Sequence, residues 1–246
     1  MPVVAAVLDR HRERLGLRPD PLGVRITDSP YLTVIPEALE APEDLGPPHA
    51  MRFREVEPAA GPLPDWWGAD ELPLVYATYG SVIPMLPGFA TLFRATVTAL
   101  GELPVRALFT IGTEVAREAL GPVPANVRVE RWIPQSAVMP HAAAMIGHGG
   151  AGTTRMALAA GVPAVVVPSI ADQFRNGERV AALGAGIALD MTPDALAGLA
   201  DAVRRLLEDP SYRAAAGRAA AGVAALPSIH EAAASLEAWL TPARAA

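Results

Sequence analysis

From Leu74 onward, short and largely unbroken apolar runs alternate with longer stretches in which apolar residues recur every three or four positions. The runs at 74–78, 105–111, 127–132, 142–146, 163–167 and 187–189 predict strands, being too short for core helices and bounded by Gly, Pro or polar residues. Their lack of strict alternation means that both faces are covered. The periodic stretches predict helices at 89–100, 114–120, 153–160 and 172–183, with a short helical turn at 135–141. Gly161 and Pro163 stop one of these helices, Asp172 stands where an N-cap belongs, and Gly184-Ala185-Gly186 closes the next. Strand and helix in alternation predict an α/β fold, a Rossmann-like doubly wound parallel sheet with C-terminal helices.

The tail of the chain is helical. Leu196, Leu199, Val203 and Leu206 form one stripe on a single predicted helix, and Asp209-Pro210 opens another with a cap and a proline at its first position. Ser228 with Glu231 three residues on reads as a capping box for a last helix bearing Leu236, Trp239 and Leu240. At the other end, residues 1–17 set Val4, Val7, Leu8 and Leu15 among charges and predict a helix ending near Gly16. Short strands are expected at 24–26 and 31–35, on either side of Asp28-Ser29-Pro30. Residues 36–73 carry Pro36, Pro42, Pro47, Pro48, Pro58, Pro62, Pro64 and Pro73 among acidic residues, the composition of an extended connector. The expected organisation is a domain remnant at 1–50, a Pro-rich linker at 51–73, an α/β domain at 74–225 and a C-terminal helix at 226–246.

Composition removes several classes. Of the 246 residues 51% are hydrophobic, yet no apolar run approaches the ~20 residues that a membrane span needs. The charges that begin at Asp9 follow the first apolar residues too closely for a signal peptide, so a cytoplasmic location is expected. The net charge of −6, with no basic stripe, argues against a nucleic-acid groove. An anionic ligand would therefore be held by local dipoles and donors, not by the overall field. There is no cysteine, which excludes thiolate metal sites, disulfides and cysteine nucleophiles.

The chemistry concentrates at Met145-Ile146-Gly147-His148-Gly149-Gly150-Ala151-Gly152-Thr153-Thr154, a predicted strand, a Gly-rich turn and a helix start. That order aims backbone N–H groups and the positive end of a helix dipole at an anion, and the glycines let it come close. His148 and the two threonine hydroxyls add donors, so a diphosphate site is the first inference. Gly80-Ser81, Trp132-Ile133-Pro134-Gln135 and Asp172-Gln173 with Asn176 all fall at or just after predicted strand ends, where ligands of parallel sheets bind.

The series Trp132-Ile133-Pro134-Gln135, His141, His148 to Thr154, Gly161-Val162-Pro163, Pro168, Asp172-Gln173 and Asn176 resembles the donor-binding signature of GT-B glycosyltransferases, nearest the bacterial natural-product, macrolide-type branch. The signature covers about residues 132–180, and a looser likeness extends to Pro64-Asp65-Trp66. The resemblance implies that this chain is the nucleotide-sugar-binding half of a GT-B enzyme, an inverting and metal-independent hexosyltransferase acting on a small natural-product aglycone. Trp132 would stack on the pyrimidine, the Ile133 backbone would bond its edge, and Gln135 would lie near base and ribose. His148, Gly149, Gly150, Ala151, Gly152, Thr153 and Thr154 would surround the diphosphate, Ser81 would close on it, and Asp172 and Gln173 would hold sugar hydroxyls. Where UDP-sugar enzymes of this kind carry a glutamate for the ribose hydroxyls, Met156 stands here, which favours a dTDP-sugar over a UDP-sugar. No cofactor and no metal is implied. The family's catalytic base lies in an acceptor-binding N-terminal domain. No such base is assigned here, His11 included, so the acceptor side is expected from a further domain or a partner chain.

Other classes fit less well. A non-catalytic nucleotide-sugar-binding subunit that needs a separate acceptor-binding chain matches the same motifs. His148-Gly149-Gly150 resembles a serine-hydrolase oxyanion motif, but no Gly-x-Ser-x-Gly elbow accompanies it. A dehydrogenase would need Gly-x-Gly-x-x-Gly after the first strand of the domain, and none is there.

Overall fold

The computed structural model describes residues 2–25, 31–40, 50–55, 71–85 and 88–240, with the side chains of 2–4, 239 and 240 left aside. The expected Asp28-Ser29-Pro30 turn, His49, Pro64-Asp65-Trp66 and Trp67, most of the linker prolines, and the side chains of Val4, Trp239 and Leu240 lie outside that description. The chain divides into two compact units, Met1–Glu55 with Pro227–Ala246, and Val56–Leu226.

In the first unit, helix α1 (Pro2–Arg14) forms where the mixed apolar and charged pattern predicts it. The strand expected at 24–26 does not form as far as the description reaches. Val24 and Arg25 are helical instead, because the Asp20 carboxylate accepts from both their amides at 2.9 and 3.0 Å. Strands β1 (Tyr31–Thr33) and β2 (Ala50–Arg52) pair in parallel. The expected connector therefore contributes a strand, and Leu39 and Phe53 are buried. The capping box is real: Glu231 accepts from the Ser228 amide at 2.7 Å, and the Glu231 amide donates to Ser228 Oγ at 3.3 Å, opening the C-terminal helix Ile229–Leu240.

The second unit is built on six strands: β3 (Leu74–Thr78), β4 (Arg106–Thr110), β5 (Val127–Glu130), β6 (Ala142–Gly147), β7 (Ala164–Val166) and β8 (Gly186–Ala188). All pairs are parallel, in the order β5-β4-β3-β6-β7-β8. Counted from β3 this is 3-2-1-4-5-6, the doubly wound Rossmann order, with its reversal between β3 and β6. The helices are α2 (Phe89–Gly101), α3 (Gln135–Val138), α4 (Ala151–Ala159), α5 (Gln173–Ala182), α6 (Pro193–Ala197), α7 (Leu199–Glu208) and α8 (Pro210–Ala224).

The unbroken strands are enclosed as their composition demands: every residue of β3 is buried. Beyond β3 an aromatic cluster fills the core, with ring centroids 5.3 Å apart for Tyr79 and Phe93 and 5.1 Å for Phe93 and Phe109. The Tyr79 hydroxyl donates to Thr96 Oγ1 at 2.6 Å, since the single Thr96 proton is given to the Leu92 carbonyl at 2.9 Å. Burial pushes the phenol far above its ordinary range, and the Thr96 hydrogen bond only partly offsets it.

Three local expectations fail for identifiable reasons. The helix at 114–120 shrinks to a 3-10 turn at Arg117–Leu120, because Ala116 is extended and Gly121 turns the chain at φ +74°. The stripe Leu196, Leu199, Val203 and Leu206 is buried, but Gly198 splits it between α6 and α7. Asp172 precedes α5 without capping it; its carboxylate is taken up elsewhere, by Asn176 at 3.0 Å.

Two glycines give opposite predictions for one substitution. A Cβ on Gly186 would lie 2.0 Å from the Ala164 carbonyl oxygen and 2.6 Å from Val180 Cγ1, so Gly186→Ala must separate β7 from β8. A Cβ on Gly217, exposed in α8, meets nothing within 4 Å. Denaturant unfolding should show Gly186→Ala losing at least about 2 kcal/mol and Gly217→Ala gaining about 0.5–1 kcal/mol. Equal effects of one sign would contradict this packing.

Candidate functional site

The strand ends are level across the sheet: Glu130, Thr110, Thr78, Gly147, Val166 and Ala188 stand opposite one another in the ladder. Each chemical motif follows one of these ends. Where the order reverses, the segments after β3 and β6 depart to opposite faces of the sheet, so a crevice opens between them.

A cleft of about 300 Å³ occupies the β3, β4 and β5 side of that rim, lined by Ser81, Trp132, Ile133 and Gln135. Two predicted motifs far apart in sequence, Ser81 and the Trp132-Ile133-Pro134-Gln135 segment, thus share one wall. Trp132 is 71% exposed, so its ring is a free aromatic face and not a core residue. Ile133 is buried behind it. Among the described residues nothing engages the Ile133 amide or carbonyl, which leaves both free at the rim. Thr78, Thr110, Gly112, Thr113, Glu114 and Arg131 complete the wall. Sequence reasoning missed these; their one signal was position just after, or at the end of, an apolar run. Thr113 donates to Glu114 at 3.1 Å, and the Tyr76 and Thr110 hydroxyls pair at 3.0 Å at the cleft floor.

His148 sits at the edge of this cleft. A Cβ on Gly80, in the cleft wall, would lie 2.9 Å from its Cε1, and a Cβ on Gly150 would lie 2.3 Å from its Nε2. The imidazole therefore fits only between two glycines, one on each side of the reversal. Its Nδ1 is buried with no hydrogen-bond partner among the described residues. Burial lowers the pKa of His148 below its ordinary 6.5; the Thr78 backbone and the Asp172 carboxylate act the other way and do not cancel it. Thr78 thus influences the ring by proximity although it makes no bond of normal geometry to Nδ1.

Helix α4 begins at Gly150, which is extended and has no side-chain cap. The amides of Ala151, Gly152 and Thr153 have no acceptor within the helix and form the positive end of its dipole. Gly152 is exposed and Thr153 half-buried. Thr154 differs from expectation: its amide bonds the Gly150 carbonyl at 3.0 Å and its hydroxyl is enclosed at 1% exposure without a partner, so neither is open to a ligand here.

The loop after β7 packs against this turn. Gly149 has φ +82°, and a Cβ there would lie 2.8 Å from the Gln173 carbonyl. Gln173 is buried, not at the surface, and its Oε1 accepts from the Ser169 and Ile170 amides at 2.9 and 3.1 Å. Any contact with a sugar falls to its Nε2. Asp172 is exposed, and Ala171 beside it is the one non-glycine with positive φ among the described residues, at +54°. His141, quoted in the signature, lies at the opposite end of β6. Among the described residues no group of three His, Asp or Glu side chains is placed to hold a metal, and no helix is long and apolar enough to cross a membrane.

A family model described as the C-terminal domain of erythromycin biosynthesis protein CIII-like proteins matches residues 94–239. The chain is 36% identical, over 89% of its length and 56% of the relative's, to L-demethylnoviosyl transferase of Streptomyces niveus. It is 34% identical to 4'-demethylrebeccamycin synthase of Lentzea aerocolonigenes, covering 88% of this chain and 53% of that one. It spans about half the length of these curated relatives. Among solved structures, glycosyltransferase SnogD from Streptomyces nogalater superposes with a TM-score of 0.76 at 34% identity, covering 94% of this chain and 61% of that chain. Glycosyltransferase VinC, in complex with dTDP, gives 0.70 at 32%, covering 83% and 50%. The sheet is thus one half of a GT-B fold.

The depressed proton affinity of His148 has a sign that can be measured. Above pH 6.5 both folded and unfolded chains hold it neutral. As pH falls below 6.5 the unfolded chain takes up the proton first, and the folded state loses stability. Melting temperature between pH 7.5 and 5.5 should therefore fall more steeply for the natural chain than for His148→Gln; parallel curves would contradict the buried neutral ring.

Proposed function

We propose that this chain, which belongs to the erythromycin biosynthesis protein CIII-like C-terminal domain family, binds the nucleotide-sugar donor of a natural-product glycosyltransferase. The observation that carries the reading is the meeting of Ser81, Trp132, Ile133 and Gln135 on one cleft, with His148 and the uncapped start of α4 at its edge. In this reading the base stacks on the exposed Trp132, and its edge bonds the free Ile133 backbone groups. The diphosphate crosses the strand reversal toward the amides of Ala151, Gly152 and Thr153, with Ser81 opposite. The sugar then lies toward the loop that carries Asp172 and Gln173.

The chemistry needs this arrangement. An acceptor hydroxyl attacks the anomeric carbon, the bond from that carbon to the diphosphate oxygen breaks, and a base takes the hydroxyl proton. A single in-line displacement inverts the anomeric centre. Charge grows on the departing diphosphate, and fixed amides at a helix N-terminus, with a neutral imidazole N–H, stabilise it most when the bond is breaking. These donors take the place that a metal ion fills in other transferases. The general base and the acceptor pocket are assigned to polypeptide outside these residues, so the chain alone binds donor without transfer.

A thymidine diphosphate is favoured over a uridine one. The side chain that faces a ribose three residues after Thr153 is Met156, partly buried on α4, and a thioether accepts a hydroxyl poorly. A 2′-deoxyribose leaves no such group unpaired. The known complex of VinC with dTDP supports this choice.

Titration calorimetry with dTDP, UDP and ADP tests the reading. Binding in the order dTDP, UDP, ADP is expected, and silence toward all three at millimolar concentration would overturn it. Trp132→Ala should weaken dTDP binding about tenfold or more, the worth of one base–aromatic stack. Its melting temperature should barely move, because the ring is already 71% exposed.

A further inference from the structure

We infer that Asn176 is a positioning residue for the donor site, one that aims the Gly150 amide at the diphosphate and the Asp172 carboxylate at the sugar. The inference rests on the donor-site reading above. Asn176 is 7% exposed on the first turns of α5, beneath the Gly-rich turn. Its Nδ2 donates to the Gly149 carbonyl at 2.8 Å and to Asp172 Oδ2 at 3.0 Å. One amide nitrogen has two protons, and both are used.

The first bond sets the turn. A trans peptide points its C=O and the following N–H in opposite directions. With the Gly149 carbonyl held down on Asn176, the Gly150 N–H of the same peptide is directed away from Asn176. Gly149 has no side chain to resist rotation and sits at φ +82°, so its peptide plane needs an outside anchor. The second bond does the same for Asp172, an exposed carboxylate beside the strained Ala171 that does not cap its own helix. A single side chain thus couples the diphosphate turn to the sugar loop.

Asn176→Asp separates positioning from mere filling. The variant keeps the shape, but at neutral pH its carboxylate has no proton to donate and faces two acceptors, the Gly149 carbonyl and Asp172. Loss of two buried donations should weaken dTDP binding at pH 8 by about tenfold or more. Lowering the pH toward 5 protonates the new carboxyl, and the deficit relative to the natural chain should shrink. A neutral filler, Asn176→Leu, should show a deficit that does not depend on pH. Affinity of Asn176→Asp equal to that of the natural chain at every pH would overturn the inference, as would a deficit independent of pH.

Should the variants fail to fold, the unmodified chain still decides. By NMR, dTDP should shift the Gly150 amide resonance strongly, and the Asn176 side-chain protons should exchange slowly before and after addition. Fast exchange of those protons, or an unmoved Gly150 amide in a chain that binds dTDP, would overturn the assignment. A natural chain that binds no nucleotide at all overturns the donor-site reading instead, so the two failures are distinct.

Discussion

The structure depends on a reversal in the winding of its sheet. Because β3 and β6 are neighbours, level at Thr78 and Gly147, and their continuations leave on opposite faces, a crevice opens at their carboxyl ends. No side chain creates that crevice; the connectivity does. What the sequence adds is the right residue at the mouth of each strand. Gly80 and Gly150 are there because a ring, His148, must pass between them, and Gly149 because the loop after β7 comes within contact distance.

That packing explains why the site combines rigidity with open donors. The Gly-rich turn is pinned from below by Asn176, from the side by the Gln173 backbone, and from across the reversal by Gly80. Gln173 holds its own loop by accepting two amides. Nothing caps α4, and the amides at its start remain available at the rim. The His148 ring is kept neutral by burial even though Asp172 pulls toward the charged form. A neutral donor and uncharged amides can follow the charge on a departing diphosphate without the desolvation that a buried cation costs.

Much of this was legible in the sequence. Period and length located the six strands of the main sheet: the central ones as buried apolar runs, and the edge strand β5 as Val127-Arg128-Val129-Glu130, with its valines buried and Arg128 exposed. The Gly-rich turn identified its strand end, and the Trp132 segment another. What could not be read was decided by tertiary packing. Gln173 was expected beside Asp172 as a sugar ligand, and only the fold shows it turned inward between the exposed Asp172 and Phe174. Asp172 looked like a helix cap, but Asn176 competes for its carboxylate. The break at Gly198 left the apolar stripe intact and so had no signature in the period. Residues 147–152 also satisfy Gly-x-Gly-x-x-Gly, with Asp172 twenty positions after Gly152. That pattern follows β6, the fourth strand counted from β3, and not the first, where the dinucleotide fingerprint belongs.

The proposed donor site stands on one geometric claim: a diphosphate bridges the reversal between Ser81 and the start of α4 while its base lies on Trp132. A crystal structure of this chain grown with dTDP tests it most directly. The account predicts the thymine ring parallel to the Trp132 indole, and diphosphate oxygens within hydrogen-bonding distance of the amides from Gly150 to Thr153. Thymidine diphosphate bound at the amino ends of the strands, or in the cleft with its phosphates directed away from α4, would contradict it.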